Sequence, residues 1–131
     1  MIKMKQKAIF NQATLGEVHG PYVQGTKYRD LFFTTQIATL PNGDIISMDP
    51  YEQTIQTLKN AELALKEAGG TLADVLTCRI FLTDMNDYSE VNRAYRELMP
   101  QDPFPTRACV QVAGMIPEVK VEMEFICSVP E

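Results

Sequence analysis

Pro105-Thr106-Arg107-Ala108-Cys109-Val110-Gln111-Val112 and, a few residues on, Val119-Lys120-Val121-Glu122-Met123-Glu124 decide how this chain is read. Each run has the β-branched, alternating character of a strand, in which successive side chains point to opposite faces. Together they present a guanidinium and a carboxylate from two strands near the C-terminus. A guanidinium binds a carboxylate as a planar fork, and a carboxylate on a neighbouring strand can take a proton from water. The pair points to chemistry on a small acid. Arg and Glu on adjacent strands also form ordinary structural ion pairs, with Glu122 or Glu124 as the partner of Arg107, so the two runs alone leave both readings open.

The elements around them suggest an α+β chain. Lys5–Phe10 reads as a first strand, and Val23–Lys27 with Leu31–Thr35 as a hairpin. Ile37–Leu40 and Asp44–Ile46 flank Pro41-Asn42-Gly43, where Asn-Gly favours a tight turn with positive φ. Asp49 can cap a helix that has Pro50 at its first position and Glu52 to complete a capping box. Ile55, Leu58, Ala61, Leu65 and Ala68 supply its apolar stripe, and Gly69-Gly70 ends it. Val75–Thr83 reads as a strand. Asp87 then caps a second helix with Glu90 at the third position and Val91, Ala94, Tyr95 and Leu98 on its apolar face. Pro100, Pro103 and Pro105 keep the next connection extended, and Arg107–Val112 and Val119–Val129 are the last strands. The expected architecture is a mixed β-sheet with two helices on one face. Leu76, Cys78, Ile80 and Leu82 are expected in the core from one strand, with Val121, Met123, Phe125 and Cys127 from another. Val75, Phe81, Ala108, Val110 and Ile126 fall on the opposite face, which two helices cannot also cover. Exposed apolar sheet of this kind signals association.

At 131 residues the chain makes a single domain, 1–131. With 45% hydrophobic and 22% charged residues and no low-complexity tract, it has the composition of a soluble globular protein. No apolar run approaches a membrane span, and no apolar core follows the basic N-terminus, so a cytoplasmic location is expected. Cys78, Cys109 and Cys127 form no CxxC or Cys/His cluster, which removes a zinc site and leaves three reduced thiols. The net charge is −5 with scattered Lys and Arg, which argues against a nucleic-acid surface.

Further elements stand in a fixed order. Gly20-Pro21-Tyr22-Val23-Gln24-Gly25 precedes Phe33-Thr34-Thr35-Gln36-Ile37; Phe81-Leu82-Thr83-Asp84-Met85-Asn86-Asp87-Tyr88 and Val91-Asn92-Arg93-Ala94-Tyr95 precede Phe104-Pro105-Thr106-Arg107. This series, from about Lys7 to Val129, resembles the Rid family of reactive enamine/imine deaminases, whose members also carry the names L-PSP endoribonuclease and translation inhibitor. The resemblance implies a chorismate-mutase-like fold of the Bacillus type and a homotrimer with a site in each intersubunit cleft. It aligns Arg107 with the ligand of the substrate carboxylate and Glu122 with the residue that positions water. Tyr22, Thr34, Asn92 and Cys109 match further pocket positions, Cys109 mainly through its backbone. Three features depart from the pattern. The loop at Tyr28-Arg29-Asp30 is one residue shorter. Thr34-Thr35 stands where many members have Ser-Gly, and Gln111 stands where Glu is frequent.

The function so implied is hydrolysis of 2-imino acids or their enamine tautomers to 2-oxo acids and ammonia, with no metal or other cofactor and a 2-imino or 2-oxo acid as ligand. Two alternatives stand beside it. One is a non-catalytic protein that senses a small carboxylate through Arg107. The other is a ribonuclease or translation inhibitor, which would want a basic groove. His19, the single histidine, lies in a predicted loop and is set aside as a partner for Cys109. Asn92 can equally be helix surface, and Glu124 is the more ordinary of the two strand carboxylates.

Overall fold

The structure, a computed structural model, describes residues 8–10, 15, 18 and 20–131. The proposed first strand is described only over Ala8–Phe10, and His19 lies outside the described residues. Helix α1 (Pro50–Glu67) starts where its signals predict. The Asp49 carboxylate accepts from the Glu52 amide at 2.8 Å. The reciprocal half of the capping box does not form, because the Asp49 amide donates to Ser47 Oγ instead. At the other end the Gly70 amide reaches the Leu65 carbonyl and Gly69 takes φ +89°, a left-handed turn that suits glycine.

Six strands follow the order β1-β2-β3-β6-β4-β5: β1 Ala8–Phe10, β2 Gly25–Tyr28, β3 Leu31–Gln36, β4 Val75–Leu82, β5 Thr106–Gln111 and β6 Val121–Ser128. Helix α2 (Tyr88–Leu98) is the crossover that lets β5 run parallel to β4. The other pairings are antiparallel. The sheet is mixed, as expected. The core fills the space between its inner face and the helices. Phe32, Leu58, Leu65, Ile80, Val121, Met123 and Phe125 are its buried centre. The outer face exposes Leu31, Phe33 and Val110.

Four expectations need correction. A register shift between Val75 and Thr77 puts Val75 inside and leaves Leu76 half exposed, so the alternation counted back from Cys78 fails at the bulge. Asp87 makes no capping hydrogen bond; Asp84 caps a short 3-10 turn that leads into α2, and Asp87 turns instead toward Lys120 Nζ at 3.8 Å. At Pro41-Asn42-Gly43 the tight turn forms as expected, with Gly43 at φ +93° and its amide donating to the Leu40 carbonyl at 2.8 Å, but the segments that flank it make one isolated β-bridge, Thr39 to Ile45, and no strands. Finally, Arg107 and Glu122 are not on neighbouring strands, because β4 separates β5 from β6.

The buried face of α1 is also less apolar than its Leu and Ala stripe suggests. Gln53, Thr54, Thr57 and Asn60 are buried in it, while Ile55 is only partly covered. Gln53 Nε2 donates to the carbonyls of Ser47 and Glu118, both at 2.7 Å, and its Oε1 accepts from the Lys120 amide at 2.9 Å. Asn60 Nδ2 donates to the Ile37 and Thr39 carbonyls, both at 2.9 Å. Gln53→Leu keeps the volume roughly and strands three backbone groups. Each unsatisfied buried group costs about 1–3 kcal/mol, and partial access to water lowers that, so a loss of about 2–4 kcal/mol is expected. A urea midpoint equal to that of the wild type would show that Gln53 holds nothing.

Candidate active site

Arg107 sits on β5 opposite Cys78 of β4, which itself lies opposite Phe125 of β6. Both neighbours are fully buried, so Arg107 points to the helix side of the sheet. There its Nη2 donates to the Tyr88 hydroxyl at 2.9 Å. The guanidinium lies 4.9 Å from the centre of the Tyr95 ring and 5.6 Å from that of Tyr88, within the range of cation–π attraction. Among the described residues no carboxylate is within ion-pair distance of it. Tyr88, Asn92 and Tyr95 are spaced i, i+4, i+7 along α2 and so share a stripe facing Arg107. They line a hollow of about 250 Å³ together with Phe104 and Pro105. Asn92 is therefore not plain helix surface. Its Oδ1 and the Tyr95 hydroxyl oxygen are enclosed with no hydrogen-bond partner among the described residues, which leaves both able to meet a ligand group. Burial pushes the Tyr95 hydroxyl well up, so it remains a donor at neutral pH.

Cys109, two residues along β5, shares the inner face with Arg107 and packs against the core. Burial pushes its thiol up, and the nearby Arg107 charge opposes this only in part. Cys78 and Cys127 are both pushed up to about 12, mainly by burial. All three cysteines are free.

Glu122 belongs to a different place. On β6 it pairs with Phe81, and the alternation of β6 puts it on the outer face with Glu124 and Ile126. It lies two strands and three residues from the level of Arg107, which is about 10 Å across the sheet and about 10 Å along it, on the other side. Tyr22, Thr34, Glu122, Glu124 and Arg79 line one groove of about 680 Å³, with apolar walls from Phe33, Ile37 and Ile126. Burial, then the charge of Glu124, raises the Glu122 carboxyl above the ordinary carboxylate range. Glu124 is held by Arg79 Nε at 3.1 Å across the β6–β4 pair. Thr34 is buried and its hydroxyl is used inside the chain, donating to the Gln24 carbonyl at 2.7 Å and accepting from Gln36 Nε2 at 2.8 Å. Its role is to shape the wall, not to donate to a ligand.

The sequence-predicted residues thus fall into two half-sites. Arg107, Asn92 and Cys109 face the helices, Tyr22 and Glu122 line the groove on the open face, and Thr34 is buried behind the wall of that groove. Residue reasoning missed Tyr88 and placed Tyr95 only in the core, although the i, i+4, i+7 spacing with Asn92 was there to find. It also missed Arg79. Gln111 Oε1 accepts from the Met85 amide at 2.8 Å, so its amide fastens the turn before α2. Among the described residues, no group of three or more His, Cys, Asp or Glu side chains is placed to hold a metal ion, and no helix is long and apolar enough to cross a membrane.

Comparison with known proteins gives this geometry a family. The family model described as Endoribonuclease L-PSP matches residues 13–129. A 2-iminobutanoate/2-iminopropanoate deaminase of Salmonella typhimurium is 34% identical over 110 residues, 82% of this chain and 86% of that protein. The crystal structure of Escherichia coli TdcF with bound serine superposes with a TM-score of 0.83 at 33% identity, covering 92% of this chain and 98% of that one. A protein of the conserved Rid family from Yersinia pestis superposes with a TM-score of 0.89 at 31% identity, over 95% of this chain and 100% of the other. With the match running from β2 to β6 and through both helices, the chain belongs to the Rid family, whose sequence model bears the description Endoribonuclease L-PSP.

Proposed function

We propose that this chain hydrolyses 2-imino acids, or their enamine tautomers, to 2-oxo acids and ammonia, in a site that two copies of the chain build together. The observation that carries the reading is the state of Arg107. Its fork is held between tyrosines with no carboxylate at ion-pair distance among the described residues. The structural alternative is weak, since Glu124 is taken by Arg79 and Glu122 is on the other face. A guanidinium so placed suits a planar carboxylate from outside the chain. The Salmonella relative's name supports an imino acid as that ligand, and the serine bound to TdcF shows a small amino acid held by a relative.

Arg107 would hold the substrate carboxylate, with Asn92 and the Tyr95 hydroxyl beside it. Glu122, from the facing copy, would take a proton from water as its oxygen adds to the imine carbon, giving a carbinolamine. The same carboxyl would pass that proton to the imine nitrogen, completing the neutral carbinolamine, and would then carry the hydroxyl proton to the amine as the C–N bond breaks, so that ammonia leaves, the carbonyl of the 2-oxo acid forms and the carboxylate is regenerated. A carboxyl raised toward neutrality suits both directions of transfer better than an ordinary one. The apolar outer face supports association, and a patch meeting a different patch on the next copy closes a ring. We take that ring to be the homotrimer that the family resemblance implies, and the whole of 1–131 to be one domain. An RNA substrate is less well served, because among the described residues Arg79 is the one cation lining the Glu122 groove and it is already paired.

Glu122→Gln should cut imine hydrolysis by about 10²–10⁴-fold while leaving calorimetric binding of 2-oxobutanoate intact. Wild-type binding without any turnover would instead favour the sensor. Arg107→Lys keeps the charge and loses the fork, so a fall of roughly tenfold to a hundredfold is expected from the contact removed.

The shared site has its own test. Arg107→Ala and Glu122→Gln proteins, each inactive alone, are unfolded together and refolded as mixed rings. Random mixing joins an intact Arg107 half to an intact Glu122 half at about one cleft in four, so about a quarter of wild-type activity should return. No return in a verified mixed assembly would refute a site made by two copies. Cys109→Ser should hydrolyse at close to the wild-type rate, since the thiol is no nucleophile; a loss comparable to that of Glu122→Gln would give the sulfur a chemical role.

A further inference from the structure

Two carboxylates on one strand face, two residues apart, cannot be equivalent unless their surroundings are. Here they are not. Glu124 is opposite Arg79 in the β4–β6 register and takes its Nε at 3.1 Å. Glu122 is opposite Phe81, which offers no charge. Arg79, Glu122 and Glu124 all line the same groove. Among the described residues, the charged and titratable side chains that line the groove with Glu122 are therefore Glu124 on its own strand, Arg79 on β4 and Tyr22 across the groove. Lys120, two residues before it, turns away to Asp87. From β3 and the residue that follows it, Thr35 and Ile37 stand on the groove side, and neither carries a charge.

We propose that Arg79 is a positioning residue for the hydrolysis: by holding the Glu124 carboxylate it settles the negative charge of the pair there and leaves Glu122 as the member that exchanges a proton with water and ammonia. This rests on the reading of Glu122 as the general base. Two neighbouring carboxylates share their protons as a pair, and without a tie-breaker either one could carry the proton while the other repels it. A guanidinium bound to one member removes that ambiguity. It fixes the Glu124 carboxylate against β4, and the charge held there disfavours charge on Glu122. The direction agrees with the raised Glu122 carboxyl, for which burial is the first cause and Glu124 the second. Arg79 also partly neutralises Glu124 and keeps its carboxylate turned to β4. Removing either partner should thus move Glu122 in opposite directions, whereas an ion pair that does not act on Glu122 would move it in neither case.

The test is the pH dependence of kcat/KM for 2-iminobutanoate generated in situ, with a parallel carbon-13 titration of the Glu122 carboxyl. Glu124→Gln removes the repelling charge, so the acid limb should move to lower pH by about half a unit to one unit. Arg79→Met frees Glu124 to act on Glu122 undiminished, so the limb should move to higher pH by a similar amount. Arg79→Lys, which keeps a cation opposite Glu124, should return it to near the wild-type position. Limbs that stay put in both Glu124→Gln and Arg79→Met, or that move the same way, would overturn the role of Arg79. Absence of hydrolysis in the wild type would instead sink the reading of the site as a deaminase. The carbon-13 titration still decides the pair in that event, opposite displacements upholding the assignment of the proton to Glu122 and none refuting it.

Discussion

The buried amide of Gln53 is the contact on which the placement of the site depends. It lies on α1, yet all three of its partners are backbone groups of loops. One of them, the Glu118 carbonyl, belongs to a residue at φ +70°, a conformation that a non-glycine residue adopts only when its surroundings hold it there. Another, the Lys120 amide, immediately precedes β6. The helix thus sets where β6 begins, and a shift of one residue would carry Glu122 from the outer face to the core. Asn60, two turns along, does the same for the chain leaving β3. The polar half of the α1 face gives the loops their address, while Leu58, Ala61 and Leu65 supply the burial that holds the helix down.

With β6 so placed, the partition of the candidate residues follows from topology. The crossover through α2 sets β5 beyond β4, so the last two strands in sequence are not neighbours in the sheet. Arg107 shares its level and face with Cys78 and Phe125, whereas Glu122 falls on the other parity of β6. A single copy therefore carries the Arg107 guanidinium on one face and the Glu122 carboxylate on the other, and in the proposed reading each half lacks what the other supplies. The same arrangement keeps Arg107 from collapsing onto Glu122 in the isolated chain. An internal Arg–Glu bridge would compete with any carboxylate ligand, and separation by the thickness of the sheet avoids that competition.

Much of the fold was legible in the residues. The caps and Gly69-Gly70 marked α1, alternation marked β6, and the surplus of apolar strand faces announced an uncovered side. What failed did so for local reasons. A bulge does not show in a periodic pattern, so Leu76 was placed inside. Asp84 and Asp87 are both competent caps, and only the 3-10 turn between them decides which one works. Polar residues on the buried face of α1 read as surface because their partners are backbone groups of distant segments. For the site, the resemblance supplied the roles and residue chemistry supplied the reasons, but neither indicated the strand order that separates Arg107 from Glu122. The Arg79–Glu124 pair was hidden for the same reason, since its register crosses 45 positions of sequence.

The departure at Thr34-Thr35 has a definite physical meaning once both residues are seen in β3. A glycine in the second position would offer backbone freedom, yet Thr35 sits in extended strand pairing with Glu124 and has no positive φ to accommodate. The threonine therefore costs the backbone nothing. What it changes is volume, because its side chain stands on the open face within the groove that also holds Glu122 and Glu124. Thr34 points the other way, and its hydroxyl, tied to Gln24 and Gln36, stiffens the wall beneath the groove. A serine there could make the same two contacts, so the added methyl contributes burial alone. The effect of the pair is thus a groove with less room beside the carboxylates, which in the proposed reading constrains the size of the group next to the reacting carbon while Glu122 and Glu124 keep their places.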